Sequence, residues 1–105
     1  MGPAVSAGPD AAAAEIVVEG RVQGVGFREY TRRCAERLGV VGYVMNMHDG
    51  CVRIIAEGAR AAIEAMVPEL QRGPRLGHVT RVSVTWRTPR GEFGGFGIRY
   101  PARDA

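Results

Sequence analysis

Gly20-Arg21-Val22-Gln23-Gly24-Val25-Gly26-Phe27-Arg28 stands where an alternating run of residues hands over to a helical one. Before it, Ile16, Val18 and Val22 fall on one side of an extended chain and Glu15, Glu19 and Arg21 on the other. That is the period of a strand with one covered face. After it, Phe27, Tyr30, Thr31, Cys34 and Leu38 recur at helical spacing, opposite Arg28, Glu29, Arg32, Arg33, Glu36 and Arg37, until Gly39 ends the pattern. Glycines at such a junction let backbone N–H groups turn inward around an anion, because no Cβ blocks the approach. Arg28 falls at the helix start, where N–H groups and the helix dipole already favour negative charge. Its guanidinium adds bidentate hydrogen bonding. The stretch reads as a compact phosphate-binding loop between a strand and a helix.

Working outward, Val40 to Asn46 form a second strand, His48-Asp49-Gly50 a turn, and Cys51 to Glu57 a third strand that completes a hairpin. Ala59, Ala62, Ile63, Met66, Val67 and Leu70 make a second helical face, with Pro68 in its last turn expected to end or kink it. Val79 to Arg87 alternate again, with Val82, Val84 and Trp86 on one side. Thr88 to Gly94 are a loop, and Phe96, Ile98 and Tyr100 mark a short last strand. The order predicts an α+β fold: a ferredoxin-like βαββαβ two-layer sandwich. One mainly antiparallel sheet of four to five strands is covered on one face by two helices. A right-handed crossover sets strands one and two parallel, with strand three between them and about 10 Å separating the outer pair. Parallel strands end at the same edge, so Arg28 and Asn46, the only asparagine, are expected at one rim.

The 105 residues suit one domain, expected over 15–100. Residues 1–14, mostly Ala, Gly and Pro, are expected to be a disordered tail, and 101–105 a short C-terminal one. Met1-Gly2 with Ser6 fits the loose myristoylation pattern, but Pro3 follows the glycine and a plain tail is the preferred reading. All fourteen basic residues are arginine, so Schiff-base chemistry, an amine nucleophile and a P-loop lysine are excluded together. Scattered arginines with a net charge of +3 suit a small anionic ligand. Glu29 occupies the third glycine position of a dinucleotide fingerprint, which excludes that motif. Cys34 and Cys51 fit neither a disulfide framework nor a zinc motif, and reduced thiols point to the cytoplasm. Isolated His48 and His78 give no metal site, and no cofactor is expected. No apolar run is long enough to cross a membrane.

Gly20 to Arg28 resembles the acylphosphatase signature Gly-x-Val-Gln-Gly-Val-Gly-Phe-Arg at every specified position. A second signature of that family, Gly-aromatic-Val-x-Asn followed by a turn with Asp-Gly, is matched by Gly42-Tyr43-Val44-Met45-Asn46 and Asp49-Gly50. The ending Phe96 to Tyr100 is also similar, and the resemblance spans about residues 15 to 100 in order. It implies metal-independent hydrolysis of a small acyl phosphate to a carboxylate and inorganic phosphate, the latter both product and inhibitor. It implies that Arg28 binds the phosphoryl group and Asn46 positions the attacking water. Gln23, Gly24, Val25, Gly26 and Phe27 would supply loop N–H donors. The residues make chemical sense of this: a carboxylate, with an acid pKa of about 4 to 5, needs no general acid to leave. Asn46 takes no proton at neutral pH, so its part is orientation. Met47 stands where many members of the family have a small hydroxyl residue.

The rival is a non-catalytic ferredoxin-like module that binds phosphate or RNA. RNA-binding sheets of this kind use aromatics on central strands, and Cys51 to Ala56 carry none, so nucleic acid is not expected as a partner. A monomer is expected.

Overall fold

Seven elements succeed one another in residues 10–101, which the computed structural model of the chain describes. They are β1 (Ala11–Arg21), α1 (Phe27–Leu38), β2 (Val41–Asn46), β3 (Val52–Ala59), α2 (Arg60–Arg72), β4 (His78–Arg87) and β5 (Phe96–Arg99). The strands form one sheet in the order β4-β1-β3-β2-β5. β3 lies antiparallel between β1 and β2, which are therefore parallel to each other, as the crossover rule predicts. β4 adds antiparallel to β1, and β5 adds parallel to β2. This is the ferredoxin-like sandwich, mainly antiparallel, with one extra edge strand.

Alternation builds the core. Ile16 and Val18 of β1, Val44 of β2, and Val52, Ile54 and Ala56 of β3 are buried on one sheet face. Phe27, Cys34 and Ala35 of α1 and Ile63, Met66 and Leu70 of α2 pack onto them. Thr31, fully buried, donates its hydroxyl hydrogen to the Phe27 carbonyl at 2.9 Å. Tyr30 joins the helices by donating to the Glu69 carbonyl at 2.8 Å. Burial pushes the Cys34 thiol pKa up, so it stays neutral in the core.

Three features differ from the sequence reading. β1 begins at Ala11, so Ala11–Ala14 belong to the sheet rather than to the N-terminal tail. Alanine is a poor strand former in isolation, but here the whole run pairs with Ala56 to Ala59 of β3, and Ala13 and Ala14 pair also with Arg87 and Trp86 of β4. The expectations for residues 1–9 and 102–105 lie outside the described residues. Second, α2 runs through Pro68 to Arg72. Pro68 sits on the exposed side while Leu70 behind it is fully buried, and packing of that last turn outweighs the missing N–H. Third, β5 stops at Arg99, one residue short of the expected Tyr100, and as a parallel neighbour of β2 it brings a third chain segment to the rim where β1 and β2 end.

Gly42 admits no side chain. Its φ is +135°, and a Cβ would lie 1.9 Å from the Ile55 carbonyl oxygen across the β2–β3 ladder. Gly42→Ala should therefore lower stability by about 3 kcal/mol in urea unfolding, by strain and by loss of ladder geometry. A change below about 0.5 kcal/mol would mean that the two strands separate there at little cost.

Candidate active site

Between β1 and α1 the chain turns through Gly24 (φ +76°) and Gly26 (φ +82°), both in left-handed conformations with nothing in the way of a Cβ. The glycines are thus needed for the turn itself, not to avoid a neighbour. Val22 and Phe27, each about 1% exposed, anchor the two ends of the loop, and half-buried Val25 packs against the core between them. Gly26 is the N-cap of α1 and no side chain caps it. The helix start consequently presents backbone donors and positive dipole at the loop.

Arg28 lies half-buried in the first turn of α1, with no carboxylate partner among the described residues. Its neighbour Glu29 is engaged elsewhere: it pairs with Arg32 and with Arg33. The hydrogen bond from Arg32, opposed by partial burial and reinforced by Arg33, holds the Glu29 carboxyl down to about 2. Arg28 is left for something else. Its guanidinium carbon sits 5.2 Å from the centroid of the Tyr100 ring, and a groove of about 170 Å³ is lined by Gly24, Gly26, Arg28, Ile98 and Tyr100, among others. Ile98 and Tyr100 carried no role in the sequence reading. The available signal was their place in a third motif, but only the parallel pairing of β5 with β2 shows that they reach this rim.

Asn46 ends β2, opposite Val52, which is itself opposite Val18 of β1. By alternation its side chain shares the helix-covered face with Val44. Its Oδ1 is buried and accepts no hydrogen bond among the described residues. A buried amide oxygen left so is expensive unless a small donor reaches it. Asn46 does not line the groove in front of Arg28, but a side chain ties the two regions together. Gln23 Nε2 donates to the Met47 carbonyl at 2.8 Å and to the Cys51 carbonyl at 2.9 Å. The loop is thereby fastened to the turn that follows Asn46, itself closed by the Met47 N–H donating to the Cys51 carbonyl at 2.8 Å. Gln23 was expected to contribute only its backbone N–H; its side chain is a clip across 24 residues of sequence. Gln23→Leu should cost about 2 kcal/mol, roughly 1 for each bond lost, and lower turnover about tenfold by loosening loop against turn. Unfolding curves and steady-state rates check both halves.

His48 and His78 are exposed. Burial, with the Asp49 carboxylate, pushes the Cys51 thiol pKa up, which leaves it a poor nucleophile. Among the described residues no three His, Cys, Asp or Glu side chains gather as a metal site would require.

The site thus combines a glycine-lined groove at a helix start, an arginine with no carboxylate partner among the described residues, and a buried amide oxygen. The acylphosphatase family model matches residues 14–98. The chain belongs to the acylphosphatase family. It is 53% identical over 88 residues to an acylphosphatase of Thermotoga petrophila, covering 84% of this chain and 97% of that one. The crystal structure of Bacillus subtilis acylphosphatase superposes with a TM-score of 0.82 at 37% identity, over 85% of this chain and 99% of the other. The acylphosphatase of Coxiella burnetii gives a TM-score of 0.81 at 32% identity, over 86% and 94% of the two chains.

Proposed function

We propose that this acylphosphatase-family chain hydrolyses small acyl phosphates to a carboxylate and inorganic phosphate, without a metal ion. The phosphoryl group sits in the loop from Gln23 to Phe27, on backbone N–H groups turned inward by Gly24 and Gly26. Arg28 grips two of its oxygens through the guanidinium fork. The observation that carries the assignment is the buried Asn46 Oδ1, which accepts from no described residue. A water donating one hydrogen to that oxygen has a lone pair left for phosphorus. Attack forms a new P–O bond as the bond to the acyl oxygen breaks, and the carboxylate leaves with the electron pair. The water's proton passes to a phosphate oxygen of the substrate. Such a reaction asks the protein for position and for electrostatic stabilisation rather than for acid or base.

Several features support this over an RNA-binding module. β3 carries no aromatic residue, and the Trp86 ring is capped by Arg60, whose guanidinium carbon lies 4.0 Å from its centroid. Product phosphate competes for the same loop, which makes it an inhibitor. A monomer working in the cytoplasm completes the reading, in keeping with two cysteines that form no disulfide among the described residues. No helix of the described residues is long and apolar enough to cross a membrane. The test is release of phosphate from acetyl and benzoyl phosphate in excess chelator. Turnover that persists supports the proposal; folded protein with no rate above background would remove it.

A further inference from the structure

The sheet face turned away from the helices carries a second and larger cavity, of about 340 Å³, which the proposed reaction does not use. Small residues make its floor. Ala13 and Ala14 lie in it, Ala13 separating Arg87 from Glu57 in one row across the strands, and Ile55 stands beside Tyr43 in the next. The loop between β4 and β5 makes its wall. Glu57, only 3% exposed, accepts from the Arg90 and Gly91 N–H groups at 3.0 Å each, which pins that loop over the sheet and brings Phe93 against Tyr43.

The lining is cationic and aromatic together. Four of its residues are arginines (Arg53, Arg87, Arg90 and Arg99), against two glutamates, one of them Glu57, whose oxygens the backbone already occupies. Arg53 and Arg87 share a single carboxylate, that of Glu15, and Arg90 pairs with Glu92 at 3.6 Å. Arg99 has no carboxylate partner among the described residues. Its guanidinium carbon lies 4.1 Å from the Tyr43 ring centroid and 5.8 Å from that of Phe93. A guanidinium stacked on a ring has its face covered and its orientation set, while its N–H donors point outward in the plane. That arrangement suits an oxyanion at the guanidinium edge and a flat apolar group against Phe93 and Ile55.

We propose that this face is a second ligand site, taking a planar organic oxyanion, an aromatic or unsaturated carboxylate or phosphate ester. The volume reaches the range of small-molecule pockets and is about twice that of the groove in front of Arg28. Arg99 binds the oxyanion, the two arginines that share the Glu15 carboxylate add a surplus positive charge, and the Tyr43–Phe93 pair selects for flatness.

Benzoate and phenyl phosphate are the probes, titrated into the full chain with amide resonances followed one by one. Saturating inorganic phosphate keeps the loop from Gln23 to Arg28 occupied. Shifts at Tyr43, Ile55, Arg90 to Phe93 and Arg99 are expected, and Arg99→Gln, which keeps most of the length, should raise Kd about tenfold. Phe93→Ala should weaken binding by a smaller factor. A response to one probe but not the other decides between carboxylate and phosphate. Shifts confined to residues 23–28, or an Arg99→Gln variant that binds as the parent does, would overturn the proposal. Resonances of the loop and of the open face are separate, so failure here is distinguishable from failure of the hydrolytic reading.

Discussion

Asn46→Ala should lower kcat by about 10³-fold while leaving inhibition by inorganic phosphate within about twofold of the parent value. The water-orienting part proposed for Asn46 is exercised only as the new bond forms, so its loss falls on turnover and not on ground-state binding. The variant also removes the buried Oδ1 that accepts no hydrogen bond among the described residues, so stability should change little or rise slightly. That combination is diagnostic. A structural asparagine would show the reverse, a drop in stability with modest kinetic consequence. The measurements are steady-state rates on benzoyl phosphate, phosphate inhibition constants and urea unfolding of the same preparations. A parallel loss of phosphate inhibition would place Asn46 in the binding loop instead.

Arg28→Ala should lower kcat/KM by about 10⁴-fold and abolish measurable inhibition by phosphate. The size follows from what the guanidinium is asked to do: to bind the ground state and to hold charge that spreads over the equatorial oxygens in the transition state. No carboxylate is orphaned by the change, because Glu29 is already held by Arg32 and Arg33. Stability should therefore stay within about 0.5 kcal/mol of the parent. Arg28→Lys should recover only part of the rate, since an ammonium group supplies the charge without the planar fork. Equal rates for Arg28→Lys and the parent would show that charge alone suffices, and that the bidentate geometry proposed here is not used.

Much of the candidate site is legible in the sequence. Ile16 and Val18 alternating into Gly24-Val25-Gly26, then Phe27, Thr31 and Cys34 at helical spacing, define a strand, a turn and a helix from short-range pattern alone. The crossover rule placed β3 between β1 and β2, and so brought the ends of β1 and β2 to one edge. Gln23 was legible only as part of a glycine loop. Its amide reaches two carbonyls that lie 24 and 28 residues away, and nothing in the local pattern specifies such partners. Ala11 to Ala14 read as tail because they continue a start made mostly of Ala, Gly and Pro; the ladder with β3 and β4 supplies what that composition does not show.

By itself, then, the sequence determined the element order, the apolar faces that drive the two layers together, and the loop whose glycines and Arg28 suit an anion. These follow from periodicities of two and 3.6 residues and from the conformations that only glycine takes readily. The tertiary structure alone decided three things: that β5 lies parallel to β2 and carries Ile98 and Tyr100 to the rim, that Gln23 clips the loop to the turn after Asn46, and that Arg99 lies against Tyr43 and Phe93 on the open face. Each depends on a contact between segments far apart in the chain: β2 with β5, Gln23 with Met47 and Cys51, Tyr43 with Arg99. Local pattern says which face of a strand is apolar, whereas the neighbour it meets is settled by register and by closure of the whole sheet.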